Sequence, residues 1–256
     1  MQVQPSRRPP AAQKLSARSC WQRLPLDPLS EPLPADPSLD HPIFLESIRL
    51  IRQVLEPSGA YARCADELER DVLERLVHSS GDLSLPADLI MAPGACRAGM
   101  TALAAGAPIL TDTAMAAAAV APMARRTFNN PVHSVLHWAP DQAPPGGTRA
   151  ALGMERALRQ HPGAVVLIGS APTALEVLLE LVASKTEAKP ATQAVPAPAV
   201  VIGMPVGFVG VAESKRHLAA SGLPQIRLDG SRGGAGLVAA VTNALLRRAW
   251  LERPVG

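Results

Sequence analysis

Short apolar runs and helix-compatible segments alternate along the chain from about residue 88 onward. The runs at 164–168 and 199–202 are continuous apolar stretches, as in strands that are buried on both faces of a parallel sheet. Alternation at this spacing predicts βαβ units with right-handed crossovers, and therefore an α/β fold with a mainly parallel sheet between two layers of helices. The predicted strands are 88–92, 108–111, 132–136, 164–168, 199–202 and 225–228, and the predicted helices are 94–105, 114–120, 148–160, 173–183, 212–221 and 236–249.

Two amphipathic helices are predicted ahead of this alternation, at 43–56 and 65–78. Their apolar positions are Ile43, Ile48, Ile51 and Leu55 in the first helix, and Leu68, Val72, Leu73, Leu76 and Val77 in the second. Gly81 predicts the end of the second helix, because glycine readily adopts the left-handed conformation of a helix C-terminus. Farther along, the alanine-rich helix from Ala114 is expected to stop at Pro122.

Two segments are rich in proline and lack periodicity. Residues 1–42 hold nine prolines, so we expect a disordered extension over 1–41, followed by a single α/β domain over 42–256. The polar segment 184–198 is long for a connection between a helix and a strand. It leads into the N-terminal end of a strand, so we expect a mobile, dispensable loop on the face of the sheet away from any site.

The composition narrows the function classes. Aromatic residues make up 3% of the chain, which disfavours nucleic-acid binding through base stacking. Net charge is +3 with much of the excess ahead of Asp27, so the main body is not expected to bind polyanions. No run reaches the roughly 18 apolar residues that span a membrane. Cys20, Cys64 and Cys96 lie far apart without metal-ligand spacing, so we expect reduced thiols in the cytoplasm and no metal site.

Residues rich in glycine, small hydroxyls or charge follow four predicted strands, at 111–113, 169–173, 203–210 and 229–236. In an open parallel sheet such segments meet at the carboxyl edge of the strands, where ligands bind. The backbone N–H groups of 169–173 and 203–210 therefore predict a site for a polar, anionic ligand. None of the segments matches a phosphate-binding fingerprint, which disfavours a dinucleotide site. For each segment alone, ordinary turn chemistry remains an alternative.

His78 is the candidate general acid. It ends the second predicted helix and lies off the stripe of Leu68, Val72 and Leu76, so filling the core is not its obvious role. The unpaired carbonyl groups of a helix C-terminus favour imidazolium and are expected to raise the pKa of His78. A histidine that titrates near neutral pH is suited to proton transfer. A capping histidine without catalytic function is the alternative.

Six segments, in one order, resemble the precorrin-8X methylmutase family of cobalamin biosynthesis. The resemblance runs from about His41 to the C-terminus and so covers most of the chain. The segments are PIFLES at 42–47, LVHSSGD at 76–82, AGAPILTD at 105–112, TRAA at 148–151, IGSAPTAL at 168–175, and IGMPVGFVG at 202–210 with ESK at 213–215. No single segment would be specific, but the set is.

The resemblance implies a flavodoxin-like three-layer α/β/α fold and a cytoplasmic homodimer with sites near the subunit interface. It implies an isomerase that moves a methyl group from C-11 to C-12 of precorrin-8X or cobalt-precorrin-8. The product is then hydrogenobyrinic acid or, with cobalt in place, cobyrinic acid. Such a migration needs no cofactor, metal or nucleophile from the protein, and neither nucleic acid nor a membrane is an expected partner.

The resemblance also assigns roles to residues. His78 falls on the catalytic histidine of the family, which is thought to protonate the macrocycle. The expected substrate-binding residues are Ser47, Asp112, Thr113, Arg149, Ser170, Thr173, Gly207 and Gly210. Arg149 is the obvious partner for a substrate carboxylate, although composition alone favours a solvated helix residue. Two positions depart from the family pattern, because Phe44 stands where tyrosine is common and Ser170 where asparagine is common.

Two functions of other classes compete with the isomerase. A non-catalytic carrier of tetrapyrroles could use the same pocket, and it would tolerate the loss of His78. A flavodoxin-like enzyme that binds phosphate groups would instead carry a bound nucleotide or flavin on purification.

Overall fold

The computed structural model describes residues 36, 38–183 and 195–254. Within these residues the strands are β1 Leu89–Met91, β2 Ile109–Thr111, β3 Val132–Ser134, β4 Val165–Ile168, β5 Val200–Gly203 and β6 Gln225–Leu228. The α-helices are α1 Pro42–Ser58, α2 Glu67–Ser80, α3 Ala95–Ala104, α4 Ala114–Arg126, α5 Arg149–Gln160, α6 Pro172–Ala183, α7 Val211–Ala220 and α8 Ala235–Leu251. Short 3₁₀ helices occur at Ala60–Arg63, Leu85–Ala87 and Val135–Trp138.

The strands form one mixed sheet in the order β1-β6-β5-β4-β2-β3. Strands β2 to β6 are parallel, as the alternating pattern predicts. The exception is β1, which pairs with β6 in the antiparallel direction, with Leu89 opposite Leu228. The mainly parallel α/β fold is therefore confirmed, with one antiparallel edge strand that the sequence pattern did not indicate.

Helices cover both faces of the sheet because successive strand residues point to opposite sides. Val165 and Leu167 of β4 belong to a core shared with α2, α3, α4 and α8. Val166 and Ile168 belong to a second core shared with α5, α6 and α7. All four side chains are fully buried, and burial of each contributes on the order of 1.5–3 kcal/mol. The two cores explain why the strand sequences are continuously apolar.

The helix pair α1–α2 lies outside this layered arrangement. Helix α2 packs against α8 and buries its predicted stripe, including Leu68, Val72 and Leu76. Gly81 ends α2 with φ 68°, as expected. Helix α1 packs on α2, but Ile43, one of its four apolar positions, is 50% exposed. The buried side of α1 is carried by Ile48 and Leu55.

Several predicted boundaries need correction. Helix α4 continues through Pro122 to Arg126, because Met123 and Ala124 are buried beyond the proline and α4 packs against α8. Strand β3 ends at Ser134, whose hydroxyl accepts from the Leu136 amide and starts a 3₁₀ turn. These contacts explain why α4 and β3 end at residues other than those that the local sequence predicts.

The two proline-rich segments fall mostly outside the described residues. Disorder was expected for 1–41, of which 1–35 and 37 lie outside the described residues. Mobility was expected for 184–198, of which 184–194 lie outside them. Of the described remainder, Leu39 and Asp40 are buried, so the folded part of the chain begins before Pro42. Val195 is also buried, immediately ahead of β5.

Candidate active site

The antiparallel direction of β1 brings the end of α2 to the carboxyl edge of the sheet. Because Leu89 lies opposite Leu228, the residues just before β1 lie beside the end of β6. Arg232, after β6, donates to the Asp82 carboxylate at 2.7 Å and also pairs with Asp88. His78, four residues before Asp82, is therefore held near this edge.

Contacts along α8 confirm the direction of α2. Near the C-terminal end of α8, Arg248 donates to Asp71 at 3.1 Å. Just before the start of α8, Arg232 binds Asp82. Helices α2 and α8 are therefore antiparallel, and the C-terminal end of α2 points in the same direction as the N-terminal end of α8. That end of α8 lies against the end of β4, since a Cβ atom on Gly169 would come within 2.7 Å of the Ala235 nitrogen.

His78 is half-buried between α1 and α2, and one of its ring nitrogens is fixed. The Ser47 hydroxyl lies 2.7 Å from Nδ1 of His78. The Phe44 ring contacts the imidazole edge to face, with 5.2 Å between ring centroids. Nε2 of His78 has no hydrogen-bond partner among the described residues. The histidine thus has one nitrogen fixed by the protein and the other available.

The structure corrects the expected direction of the His78 pKa. Burial lowers the pKa of His78, and the positive charge of Arg75 lowers it further. Arg75 lies one turn earlier on α2, with its guanidinium 4.6 Å from the centroid of the Phe44 ring. The pKa of His78 is therefore shifted in the direction opposite to the one expected from the helix C-terminus, and this shift favours the neutral imidazole.

A buried ion pair supports this histidine pocket from behind. Arg247 of α8 donates to both carboxylate oxygens of Asp40, at 2.7 and 2.9 Å. The same guanidinium lies 5.4 Å from the centroid of the Phe44 ring. Phe44 is therefore enclosed by His78 on one side and by two cations, a setting in which an aromatic ring is favourable.

A second group of predicted residues lies where β2 and β4 end. Oδ2 of Asp112 accepts hydrogen bonds from the backbone amides of Gly169, Ser170 and Ala171, at 3.1, 2.6 and 2.7 Å. Asp112 is only 1% exposed, and its Oδ1 is buried without a partner among the described residues. Three of the amides that were expected to bind an anionic ligand, those of Gly169, Ser170 and Ala171, are thus occupied by a carboxylate of the chain itself.

Hydroxyl groups continue this second group toward α5. The hydroxyls of Thr148 and Thr173 lie 2.7 Å apart, and Thr148 also caps α5. Thr113 caps α4 in the same way, by accepting from the Ala116 amide. Arg149 is exposed and donates through Nε to the Pro140 carbonyl at 2.7 Å. Ser170 is exposed beside them.

The loop after β5 presents apolar side chains to solvent. Gly207 has φ 136° and donates to the Ser231 carbonyl at 3.0 Å, and Gly210 has φ 70° at the start of α7. Between them, Phe208 is 93% and Val209 89% exposed. Both glycines thus shape the loop through backbone conformations that other residues rarely adopt.

Sequence reasoning gave no role to Lys215 or to Arg232. Lys215 is 2% exposed, and its ammonium donates to the Gly230 and Arg232 carbonyls at 2.8 and 2.6 Å. Burial lowers the pKa of Lys215 to about 8. The lysine fixes the loop after β6, and Arg232 ties that loop to Asp82. Spacing offered no signal for a buried lysine, because Lys215 lies in a segment that is otherwise typical of a solvated helix.

The described residues thus form two separate groups. The first is Ser47 with His78, and the second is Asp112 with Ser170, together with Thr173, which contacts Thr148. No hydrogen bond or ion pair between the described residues of one chain joins the two groups. Over the same residues, no cluster of three or more histidine, cysteine or acidic side chains could hold a metal ion. None of the described helices is both long enough and apolar enough to cross a membrane.

Comparisons with known proteins give a consistent result. The precorrin-8X methylmutase family model matches residues 42–248. A cobalt-precorrin-8 methylmutase of Synechocystis is 36% identical over 84% of this chain and 98% of its own length. A precorrin-8X methylmutase of Pseudomonas aeruginosa is 39% identical over 79% of this chain and 93% of its own.

A solved structure agrees with these matches. The precorrin-8X methyl mutase of Thermus thermophilus superimposes with a TM-score of 0.68 at 35% identity, over 82% of this chain and 98% of its own. The protein is therefore an α/β isomerase of cobalamin biosynthesis. It belongs to the precorrin-8X methylmutase family.

Proposed function

We propose that this chain moves a methyl group from C-11 to C-12 of precorrin-8X or cobalt-precorrin-8, with His78 as the general acid. The observation that supports this role is the hydrogen bonding of His78, whose Nδ1 is held by Ser47 while Nε2 has no partner among the described residues. A capping histidine would instead donate to carbonyl groups of its own helix. The product is hydrogenobyrinic acid, or cobyrinic acid when cobalt is present.

The proposed reaction is balanced without a co-reactant. Nε2 of His78 gives a proton to the macrocycle, which makes the ring more electron-poor. The bond between C-11 and the methyl group then breaks as the bond to C-12 forms. Finally, the ring returns one proton to His78, so that the product is an isomer of the substrate and the enzyme is regenerated.

The lowered pKa of His78 is compatible with this cycle. Precorrin-8X carries several carboxylates, and a negative charge beside the imidazole raises its pKa when the substrate binds. Ser47 suits both protonation states, because a hydroxyl donates to a neutral Nδ1 and accepts from a protonated one. A histidine that holds its proton weakly also gives it up readily, as a general acid must.

The remaining predicted residues are proposed to bind the substrate from the carboxyl edge of the sheet. Arg149 is the proposed partner of a substrate carboxylate, because it is exposed and no carboxylate of the described residues pairs with it. The other proposed contacts are Thr113, Ser170, Thr173, Gly207 and Gly210. Asp112 is proposed to act on the substrate site through the 169–173 loop, since its own carboxylate is buried.

The proposal includes a flavodoxin-like fold and a homodimer. The five parallel strands, numbered by their sequence order, follow 2-1-3-4-5, which is the flavodoxin order. No hydrogen bond or ion pair between described residues of one chain joins the His78 group to the Asp112 group. A site near a subunit interface, completed by a second copy, accounts for this separation.

The experiment is an absorbance spectrum of the purified protein with metal-free precorrin-8X, repeated with the cobalt form. We expect conversion to the orange corrin by the wild type and none by His78→Ala, with binding retained within roughly tenfold, or 1.4 kcal/mol. His217→Ala is the matched control, because His217 is exposed and pairs with Glu176 at 2.9 Å. Substantial rearrangement by His78→Ala would remove His78 from the acid role.

The same spectra separate the alternatives. Conversion of the metal-free substrate places the enzyme in the aerobic route, and conversion of the cobalt form alone in the anaerobic route. A shifted spectrum without conversion of either substrate would favour a carrier of tetrapyrroles and would contradict the isomerase.

A further inference from the structure

Asp112 lies at the point where the order of the parallel strands reverses. Strand β2 is flanked by β3 on one side and β4 on the other, so the chain leaves the ends of β2 and β4 in opposite directions. In doubly wound sheets this point is where ligands bind. The N-terminus of the following helix, here α6, commonly receives a phosphate or another anion there.

In this chain the carboxylate of Asp112 already occupies the position where such an anion would bind. Two of the three amide hydrogen bonds to Oδ2 of Asp112 measure 2.6 and 2.7 Å, which is short even for bonds to a charged acceptor. Burial raises the pKa of Asp112 above its usual range, and the hydrogen bonds from the three amides oppose this rise without cancelling it. Oδ1 stays buried and without a partner among the described residues. The chain thus accepts a costly buried oxygen to keep a carboxylate against these amides.

We propose that Asp112 is a positioning and specificity residue, a built-in anion that orders the 169–173 loop and excludes phosphate-bearing ligands from the strand-reversal point. The loop carries Ser170 and Thr173, and Thr173 contacts Thr148 beside Arg149. A phosphate at this point would meet both an occupied set of amides and a negative charge. Carboxylates of a bound macrocycle must then be held elsewhere, at groups such as Arg149. Only the statement about the macrocycle carboxylates rests on the proposed function.

The first test is anion binding by Asp112→Ala, which needs no tetrapyrrole. Removal of the carboxylate leaves three amides converging on a space that formate or inorganic phosphate fits. We expect formate to raise the melting temperature of Asp112→Ala above that in chloride at equal ionic strength. Wild type should show no such difference between formate and chloride. The same holds for the control Asp141→Ala, which removes an exposed carboxylate elsewhere in the chain. A variant that melts identically in formate and chloride would overturn the proposal.

A second variant keeps the test decisive if Asp112→Ala does not fold. Asp112→Asn keeps an acceptor oxygen but removes the charge, so the amides of Gly169, Ser170 and Ala171 should exchange hydrogen at least roughly tenfold faster than in wild type. Amides at β5, such as that of Val201, serve as the internal reference. Unchanged exchange at all three amides would show that the charge of Asp112 does not order the loop.

Turnover distinguishes positioning from a merely structural role. We expect Asp112→Ala to raise KM for precorrin-8X about tenfold with little change in kcat, because Ser170 and Thr173 are misplaced while His78 is untouched. Formate should restore KM. A loss confined to kcat, or a loss that formate leaves unchanged, would contradict the proposal. If wild type shows no turnover, the proposed function fails while the formate and exchange results still decide the role of Asp112.

Discussion

The helix pair α1–α2 and the strand-reversal point between β2 and β4 are both rich in polar groups, but they satisfy them differently. Around His78, side chains hold other side chains, as in the Asp40–Arg247 pair behind Phe44. Around Asp112, one carboxylate is held entirely by backbone amides. The first arrangement leaves Nε2 of His78 available, and the second leaves none of the amides of Gly169, Ser170 and Ala171 available to a ligand.

Ligands in this fold class usually bind at the strand-reversal point. In this chain the proposed proton transfer takes place elsewhere, at the helix pair α1–α2. An open parallel sheet offers its strand-reversal point to almost any ligand, but here that position is filled from within. The proposed general acid, His78, lies instead on α2 and contacts Ser47 of α1, and both helices precede the sheet in sequence. The proposed chemistry therefore uses an addition to the common α/β plan, in agreement with the view that folds carry sites rather than determine them.

The largest expected effect comes from breaking the support behind the helix pair. Asp40→Ala removes the bidentate carboxylate from the buried guanidinium of Arg247, which also lies 3.9 Å from Asp71, and loss of one member of a buried pair costs up to about 3–5 kcal/mol. Urea unfolding should show this loss in the free energy of unfolding. The matched control is Glu155→Ala, which removes an exposed pair with Arg159 and should cost less than about 1 kcal/mol. Equal effects of the two substitutions would mean that the buried pair does not support this region.

A smaller effect is expected at the loop after β6, where a side chain holds the backbone. Lys215→Met removes the donors to the Gly230 and Arg232 carbonyls and should cost about 1–3 kcal/mol near pH 7. The control is Arg216→Met on the same helix, whose side chain is exposed.

The difference in the free energy of unfolding between wild type and Lys215→Met should depend on pH, because the pKa of Lys215 is lowered. The folded protein releases the Lys215 proton near pH 8, whereas the unfolded chain holds it to about pH 10.4. Between these values the unfolded state binds more protons, so the stability of wild type relative to Lys215→Met should rise with pH. Denaturation at pH 7 and pH 9.5 measures the change. A difference that falls with pH would show that burial does not depress this pKa.

The smallest expected effect concerns the contact that fixes His78. Ser47→Ala removes the hydrogen bond to Nδ1, and we expect a drop in kcat of about tenfold, equivalent to 1.4 kcal/mol. Ser47→Thr keeps a hydroxyl and should recover most of the rate. Ser58→Ala, at the far end of α1, serves as the control, because it removes a hydroxyl that donates to the Leu55 carbonyl and accepts from the Ala60 amide. If Ser47→Thr is as slow as Ser47→Ala, the hydroxyl is not what orients His78.

The sheet was predictable because its strands are buried on both faces. Gln225–Leu228 is both the predicted and the observed β6. Strand β4 begins one residue later than predicted, and β5 is shifted by one residue at both ends. The direction of β1 was not predictable, because its three residues carry no signal that distinguishes parallel from antiparallel pairing. The continuation of α4 past Pro122 depends on packing against α8, which local propensity does not contain.

The positions of the candidate site residues at the ends of helices and strands were predictable from the sequence. The direction of the His78 pKa shift and the hydrogen bonds of Asp112 were not. The position of His78 at a helix end and off the apolar stripe was correctly indicated by sequence, and Arg75 one turn earlier was visible there as well. The direction of the His78 pKa required knowing that α1 covers the ring. Likewise, the position of Asp112 after a strand was readable, but its hydrogen bonds join residues 57 to 59 positions apart.

The short outer strands of the sheet have a consequence for handling the protein at high concentration. Strands β1 and β3 form the two edges, and each contains three residues. An exposed sheet edge is a template for aggregation, and short edge strands are one way in which natural proteins blunt it. Three-residue edges disfavour a ladder between the sheets of two copies, so concentrated samples should resist fibril formation by edge-to-edge pairing of the described sheet.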